Sequence, residues 1–212
     1  MNALAIKNPE SAFEAGLISA QHQLRARVFS ERLGWDVEVT AGSEADAFDR
    51  LEPTYILATL DDATLVGCAR LLPALGPTML VDVFPTLLPS GGLAAHRAMI
   101  ESSRFCVDTA ITGVNRKAAL HEATLTMFAA ILEWCLNHGY QEIVTVTDLR
   151  FERILARVDW PLVRLSDPRP IGSTQAVAGT LAVTKELFSR LRPSRYRSAL
   201  SAAADENGGV EA

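Results

Sequence analysis

Three cysteines in 212 residues, Cys68, Cys106 and Cys135, are too few and too scattered for a disulfide framework, and they form no CxxC pair for a zinc site. The histidines His22, His96, His121 and His138 show no HExxH spacing, so no metal is expected. Positive charge is short as well. Lys and Arg number 20 against 25 Asp and Glu, and a formal charge of −5 gives no broad field for nucleic acid or anionic lipid. No uncharged apolar run reaches the length of about 18 residues that a membrane span needs. The N-terminus lacks the continuous apolar stretch of a secretory signal. The motifs GxxxxGK[ST], GxGxxG and GxSxG are absent too. A reduced, cytoplasmic protein with no nucleic-acid or membrane partner is the expectation that remains.

What is present is an ordinary globular composition, 49% apolar and 21% charged. The length suits one domain with roughly two-thirds of its unfolded surface hidden. Residues 1–200 are read as that domain, and the acidic, Gly-containing segment 201–212 as a disordered tail.

Phe13, Leu17, Leu24, Val28 and Leu33 recur at helical spacing, which predicts one helix over 12–33 ended by Gly34. The carboxylate-rich run 36–49 reads as a loop. Strands at 55–60 and 65–72 form a hairpin turned by Asp61 to Thr64. A strand with unusually polar side chains is expected at 99–108. Asn115 is placed to cap a long helix over 116–137, which Gly139 ends. The β-branched segment 142–147 reads as a buried strand. A short helix at 151–158, strands at 162–165 and 176–183, and a helix at 185–191 complete the chain. This order predicts an α/β fold, a single domain with one mixed twisted sheet flanked by helices.

Four stretches are too polar for their surroundings. Arg25 and Phe29 share a helix face, and Trp35 follows just past the helix end. Asp46 and Asp49 lie three apart and repel unless a cation sits between them. A surface turn explains them equally well. Arg70 interrupts an apolar strand, so it needs a carboxylate partner or faces a cleft. Glu101 and Arg104 are an odd number of strand positions apart, on opposite faces unless a bulge intervenes. A glutamate and an arginine in one cleft suit the amine and the carboxylate of an amino acid.

Together these residues carry a resemblance. Arg25, Phe29 and Trp35 in "RARVFSERLGW", Asp46 and Asp49 in "DAFD", Arg70 in "ARLLP", Phe84 in "DVFP", and Glu101 with Arg104 in "ESSRF" match, in order, the spaced motif of the acyl-homoserine lactone synthases of bacterial quorum sensing. The resemblance spans about residues 5–190 and is looser beyond residue 105. It implies a fold similar to the GCN5-related N-acyltransferases and two substrates, S-adenosylmethionine and an acyl thioester on acyl carrier protein or coenzyme A. Acylation of the amine and lactonisation release 5′-methylthioadenosine, with no further cofactor. The implied base is Glu101. Arg25, Phe29, Trp35, Asp46, Asp49, Arg70, Phe84, Arg104 and Phe105 form the implied S-adenosylmethionine site and its supporting network. Leu125, Phe128, Val144, Thr145, Val146 and Thr147 line the implied acyl pocket, which Trp160 shortens. Arg150, Arg153 and Arg157 form a basic helix stripe suited to a carrier protein, or simply a solvated face. A monomer or weak dimer is expected. The rivals are an N-acyltransferase acting on another amine, against which the incomplete Q/R-x-x-G-x-G/A pattern counts, and a non-catalytic ligand-binding module.

Overall fold

A computed structural model describes residues 1–60, 64–110, 116–172 and 174–200. The tail at 201–212, the expected cap Asn115 and most of the expected turn at 61–64 lie outside the described residues. In chain order the elements are β1 (Asn2–Ile6), α1 (Ala12–Arg25), β2 (Val39–Thr40), β3 (Ser43–Glu44), β4 (Thr54–Leu60), β5 (Thr64–Pro73), α2 (Met79–Asp82), β6 (Met99–Val107), α3 (Arg116–Asn137), β7 (Glu142–Asp148), α4 (Leu149–Arg157), β8 (Val163–Arg164), β9 (Arg169–Ile171), β10 (Thr174–Ala182), α5 (Lys185–Leu191) and β11 (Arg197–Ser198).

The main sheet runs in the order β11-β1-β4-β5-β6-β7-β10-β8, with β9 also on β10. β6 and β7 are parallel, and the long α3 connects them. Their neighbours β5 and β10 are antiparallel to them. The sheet is therefore mixed, and its strand direction changes pattern at β6 and β7. Alternation along the strands sends residues to two faces. Ile56, Ala58, Ala69 and Leu71 meet Met127, Phe128 and Ile131 of α3 in one core layer. Tyr55, Leu57, Cys68 and Cys106 meet Leu17, Leu24 and Phe29 on the other side. Under the C-terminal half of the sheet, Leu80, Leu87 and Met99 pack against Val144, Ala176 and Ala178. Helix α3 is long and apolar enough to cross a membrane, yet 56% of its apolar window is buried here.

Two local features position the site. Helix α1 starts at Ser11, whose Oγ accepts from the Glu14 N–H at 3.2 Å. It does not run to Leu33 as one α-helix. From Ala26 to Arg32 it continues as a π-helix, which Gly34 ends at φ +63. The wider turn leaves Val28 and Phe29 both buried and ties the Trp35 N–H to the Phe29 carbonyl at 2.8 Å. The second feature is a hairpin within the expected loop at 36–49. Val39 pairs with Glu44 across a two-residue turn, Ala41-Gly42, with positive φ at both (50 and 76). That is the geometry of the tight hairpin turn whose twist suits paired strands. It carries Glu44 into the protein, fully buried.

Strand β6 is irregular, as an odd spacing of two co-facing residues demands. Cys68 pairs with Cys106 but Arg70 pairs with Ser103, so β6 spends one residue more than β5 over this interval. Arg104 takes φ +54 there, the mark of a bulge. Beyond it the parallel ladder has already ended. β6 and β7 pair from Met99/Glu142 to Glu101/Val144 and then separate, although both strands continue.

Candidate active site

Three arginines and three carboxylates meet on the α1 face of the sheet. Arg25 comes from the last turn of α1, Arg70 from β5 and Arg104 from the β6 bulge. The arginines at 25 and 70 are fully buried, and the Arg104 side chain is 10% exposed. Glu44 comes from β3, and Asp46 and Asp49 from the 3-10 turn Ala47–Arg50 and its cap. Arg25 binds Glu44 through Nε and Asp49 bidentately at 2.8 and 2.9 Å. Arg70 reaches both Asp46 oxygens (2.5 and 3.1 Å), Asp49 at 2.9 Å and the Ser103 hydroxyl at 3.1 Å. Arg104 reaches Glu44 at 3.0 Å and Asp46 at 2.8 Å. Six charged groups thus cancel, which is the condition for burying them. Asp46 and Asp49 coexist on one turn because Arg70 lies between them and because each accepts a backbone N–H of that turn. The Tyr55 hydroxyl donates to Asp49 at 2.7 Å.

The charges follow from these contacts. Burial pushes the Asp49 carboxyl up, but the hydrogen bonds from Arg25 and the fields of Arg25 and Arg70 outweigh it and hold it well below the usual carboxylate range. Burial likewise works against the Arg25 cation, and its bonds to Asp49 and Glu44 more than compensate.

Phe29 and Trp35 stack at 5.1 Å beside this network, and Arg104 lies over the Phe29 ring at 5.6 Å. Among the described residues the buried Trp35 Nε1 has no hydrogen-bond partner. Phe84 packs with Phe48, Leu72 and Met79 at the margin. Glu101 is 1% exposed, and its two oxygens accept the backbone N–H groups of Met79 and Leu80 at 2.9 and 2.8 Å. Burial raises its carboxyl, and those N–H groups and Arg70 offset only part of the rise. Arg104 directs Nη1 at the Met79 sulfur, 3.4 Å away. Glu101 and Arg104 therefore reach the same residue, Met79, on one side of the sheet. The nitrogens Nε and Nη2 of Arg104 face Glu44 and Asp46, which leaves Nη1, on the weakly accepting Met79 sulfur, as the edge that a ligand could take over. A polar depression of about 210 Å³ adjoins the network, between His22, Glu38, Ser43 and Arg50. His22 Nδ1–H donates to the Glu44 carbonyl at 2.8 Å.

The other half of the expected site lies across the sheet. Phe105 is not with Phe29 and Phe84. Next to Arg104 on the strand, it points to the α3 side and packs on Phe128 at 5.3 Å and Phe151 at 4.8 Å. With Ile131, Ile143, Thr145 and Trp160 these rings enclose an apolar cavity of about 30 Å³ behind the strand splay. The Thr145 hydroxyl donates to the Ser102 carbonyl at 2.7 Å, standing in for the ladder bond lost where the strands part. Of the six residues expected to line an acyl pocket, Phe128 and Thr145 do so. Thr147 follows Thr145 on the same face, Val144 and Val146 face the Leu80 and Leu87 layer instead, and Leu125 packs at the core margin. Among the described residues no group of His, Cys, Asp and Glu is arranged to hold a metal ion.

Sequence reasoning missed Glu44, Tyr55 and Met79. Glu44 sat unmarked among exposed carboxylates. Its one signal was a position two residues before Asp46.

Comparison with known proteins decides the family. The autoinducer synthase family model matches residues 11–191. The chain belongs to the autoinducer synthase family. A "Probable acyl-homoserine-lactone synthase" of Sinorhizobium fredii (strain NBRC 101917 / NGR234) is 61% identical over 198 residues, 93% of this chain and 95% of the relative. The crystal structure of the AHL synthase LasI is 31% identical, with a TM-score of 0.77 over 89% of this chain and 94% of that one. A putative N-acetyltransferase from Lactobacillus plantarum, at 15% identity and a TM-score of 0.55 over 86% of this chain and 97% of that one, shares the fold alone. This autoinducer synthase is an enzyme, an acyltransferase of acyl-homoserine lactone synthesis.

Proposed function

We propose that the enzyme joins S-adenosylmethionine to an acyl thioester where β6 and β7 part, drawing one substrate to each face of the sheet. The observation that carries this is the splay itself. The ladder stops after Glu101/Val144, with the charge-balanced network on one side and the apolar cavity on the other. A strand pair that separates leaves backbone N–H groups free to stabilise the oxyanion of a thioester under attack.

The substrate ammonium must lose a proton before it attacks. Glu101 is the proposed base, and its raised pKa suits the task. Both oxygens hold the α2 backbone and the group is buried, so the proton travels to it through a water. The Nη1 edge of Arg104 and the buried Trp35 Nε1 offer donors to the methionine carboxylate. Trp35, partly exposed and backed by Phe29, presents a face to the sulfonium. Asp46 and Asp49 act through the arginines rather than on substrate. Lactonisation then needs orientation only, because the sulfonium is a good leaving group, and 5′-methylthioadenosine departs. The acyl donor is an acyl carrier protein or coenzyme A thioester; exposed Arg150, Arg153 and Arg157 on α4 support the carrier protein.

The test is incubation of the pure enzyme with labelled S-adenosylmethionine and a panel of acyl thioesters, with the lactone and 5′-methylthioadenosine followed by mass spectrometry. Glu101→Gln should slow acylation by about a hundredfold or more while S-adenosylmethionine still binds. Unchanged turnover in that variant removes Glu101 from the chemistry. Acylated S-adenosylmethionine that accumulates without methylthioadenosine release overturns the lactonisation step while leaving acylation standing.

A further inference from the structure

We propose that Phe151 is the gate of the acyl cavity and a determinant of the chain length this enzyme accepts; the inference rests on the cavity behind the splay taking the acyl group. The cavity holds about 30 Å³, room for no more than a few waters. An acyl chain therefore enters only by displacing a side chain. Phe128, Ile131, Ile143, Leu155 and Trp160 are each 3% exposed or less, so moving any of them disrupts the core. The Trp160 indole is also pinned by its Nε1–H to the Ala182 carbonyl at 2.9 Å. It forms a fixed floor.

Phe105 and Phe151 alone among the aromatic walls keep partial exposure, and their rings meet at 4.8 Å across the mouth. Phe105 belongs to a central strand, next to the Arg104 bulge. Phe151 stands in the first turn of α4, a helix whose outer face is exposed at Arg150, Arg153 and Ile154. Its backbone N–H is held by the Asp148 carboxylate at 2.7 Å, a bond that rotation of the side chain leaves intact. Rotation of Phe151 toward solvent thus opens the cavity without moving backbone. The chain then lies along Phe105 and Phe128 with its tip toward Trp160.

Saturated acyl thioesters of increasing even length, supplied to wild type, Phe151→Ala and Phe151→Trp, test this. Each methylene that gains burial is worth about fourfold. Phe151→Ala should therefore raise kcat/KM for a chain two carbons beyond the wild-type optimum about fifteenfold relative to the optimum itself. Phe151→Trp should lower the same ratio. A ratio taken within one preparation does not depend on the fraction folded. Calorimetric binding of the same acyl-coenzyme A series reads it without turnover. A normal wild-type series with the ratio unmoved in both variants overturns the gate alone. A wild-type chain that neither binds nor turns over any acyl thioester overturns the cavity assignment, and the gate with it.

Discussion

Glu44→Gln is the sharpest perturbation of the buried network, because it keeps the volume and removes one charge. Glu44 is fully buried and bridges Arg25 of α1 to Arg104 of the β6 bulge. The glutamine carbonyl can accept from one guanidinium, but its amide N–H groups then face the other. Three cations would remain against two carboxylates in a dry site. Removing one partner of a buried ion pair typically costs 3–5 kcal/mol. Asp46 and Asp49 still hold part of the charge, so the low end applies, about 3 kcal/mol. No solvent screening reduces it, since neither Glu44 nor Arg25 has exposed surface. Urea unfolding followed by tryptophan fluorescence should show the midpoint lowered by about 1 M, and thermal melts a loss of about 10 °C. Combining Glu44→Gln with Arg104→Gln should cost less than the sum of the single changes, by about 1 kcal/mol or more. A single-variant loss under about 1 kcal/mol, or strict additivity in the double variant, refutes the view that Glu44 carries its charge as part of one coupled unit.

Other outcomes follow from the same geometry. The Asp49 carboxyl is held low in the folded chain, so it supports stability above its ordinary pKa of about 4 and loses that support as pH falls below it. Glu101 has the opposite sign: its raised folded pKa favours folding at low pH and loses that contribution as pH rises above about 4. A urea-midpoint profile should drop steeply below about pH 4, with a shallow decline from mildly acidic pH toward neutrality that Glu101→Gln abolishes; a profile flat through this range contradicts both assignments. Thr145→Val leaves the Ser102 carbonyl without its partner and should cost about 1–3 kcal/mol, whereas Thr145→Ser should restore most of it, which paired denaturation curves can check. A Cβ on Gly179 would lie 2.5 Å from Leu162 Cγ and 2.7 Å from the Val163 carbonyl oxygen, so Gly179→Ala should destabilise by about 1–3 kcal/mol and raise amide exchange in β8; unaltered exchange there speaks against close packing of that edge.

How much could be read in advance divides along physical lines. Arg70 was legible because a charge inside an apolar pattern must find a counter-charge, Arg25 only through the spaced motif it shares with Phe29 and Trp35, and Asp46 with Asp49 was the carboxylate pair lacking a cation. The odd spacing of Glu101 and Arg104 put them on one face only if a bulge intervened, and the chain has one at Arg104. Strand β1 was not legible: "NALAI" is small and lacks the β-branched run of a strand, and it exists because β4 offers it an edge. The π-helix escaped because apolar residues three and four apart suit an α-turn equally well. Glu44 escaped because a charge among charges gives no local signal; only the β2–β3 hairpin buries it.

Phe105 is the more instructive case, because its place follows once the bulge is located: Ser103 and Arg104 both reach the ionic network, and alternation resumes with Phe105 on the other face. The same alternation puts Thr145 and Thr147 on one side of β7 and Val144 and Val146 on the other. Applied consistently, it divides the site into an ionic half above the sheet and an aromatic half below it. Two substrates as unlike as a zwitterionic sulfonium and an acyl chain need such a division. A site that welcomed both on one face would either bury charge against hydrocarbon or wet the acyl chain. The sheet keeps the two halves apart except where β6 and β7 separate, and the proposed reaction brings amine and thioester together at that splay.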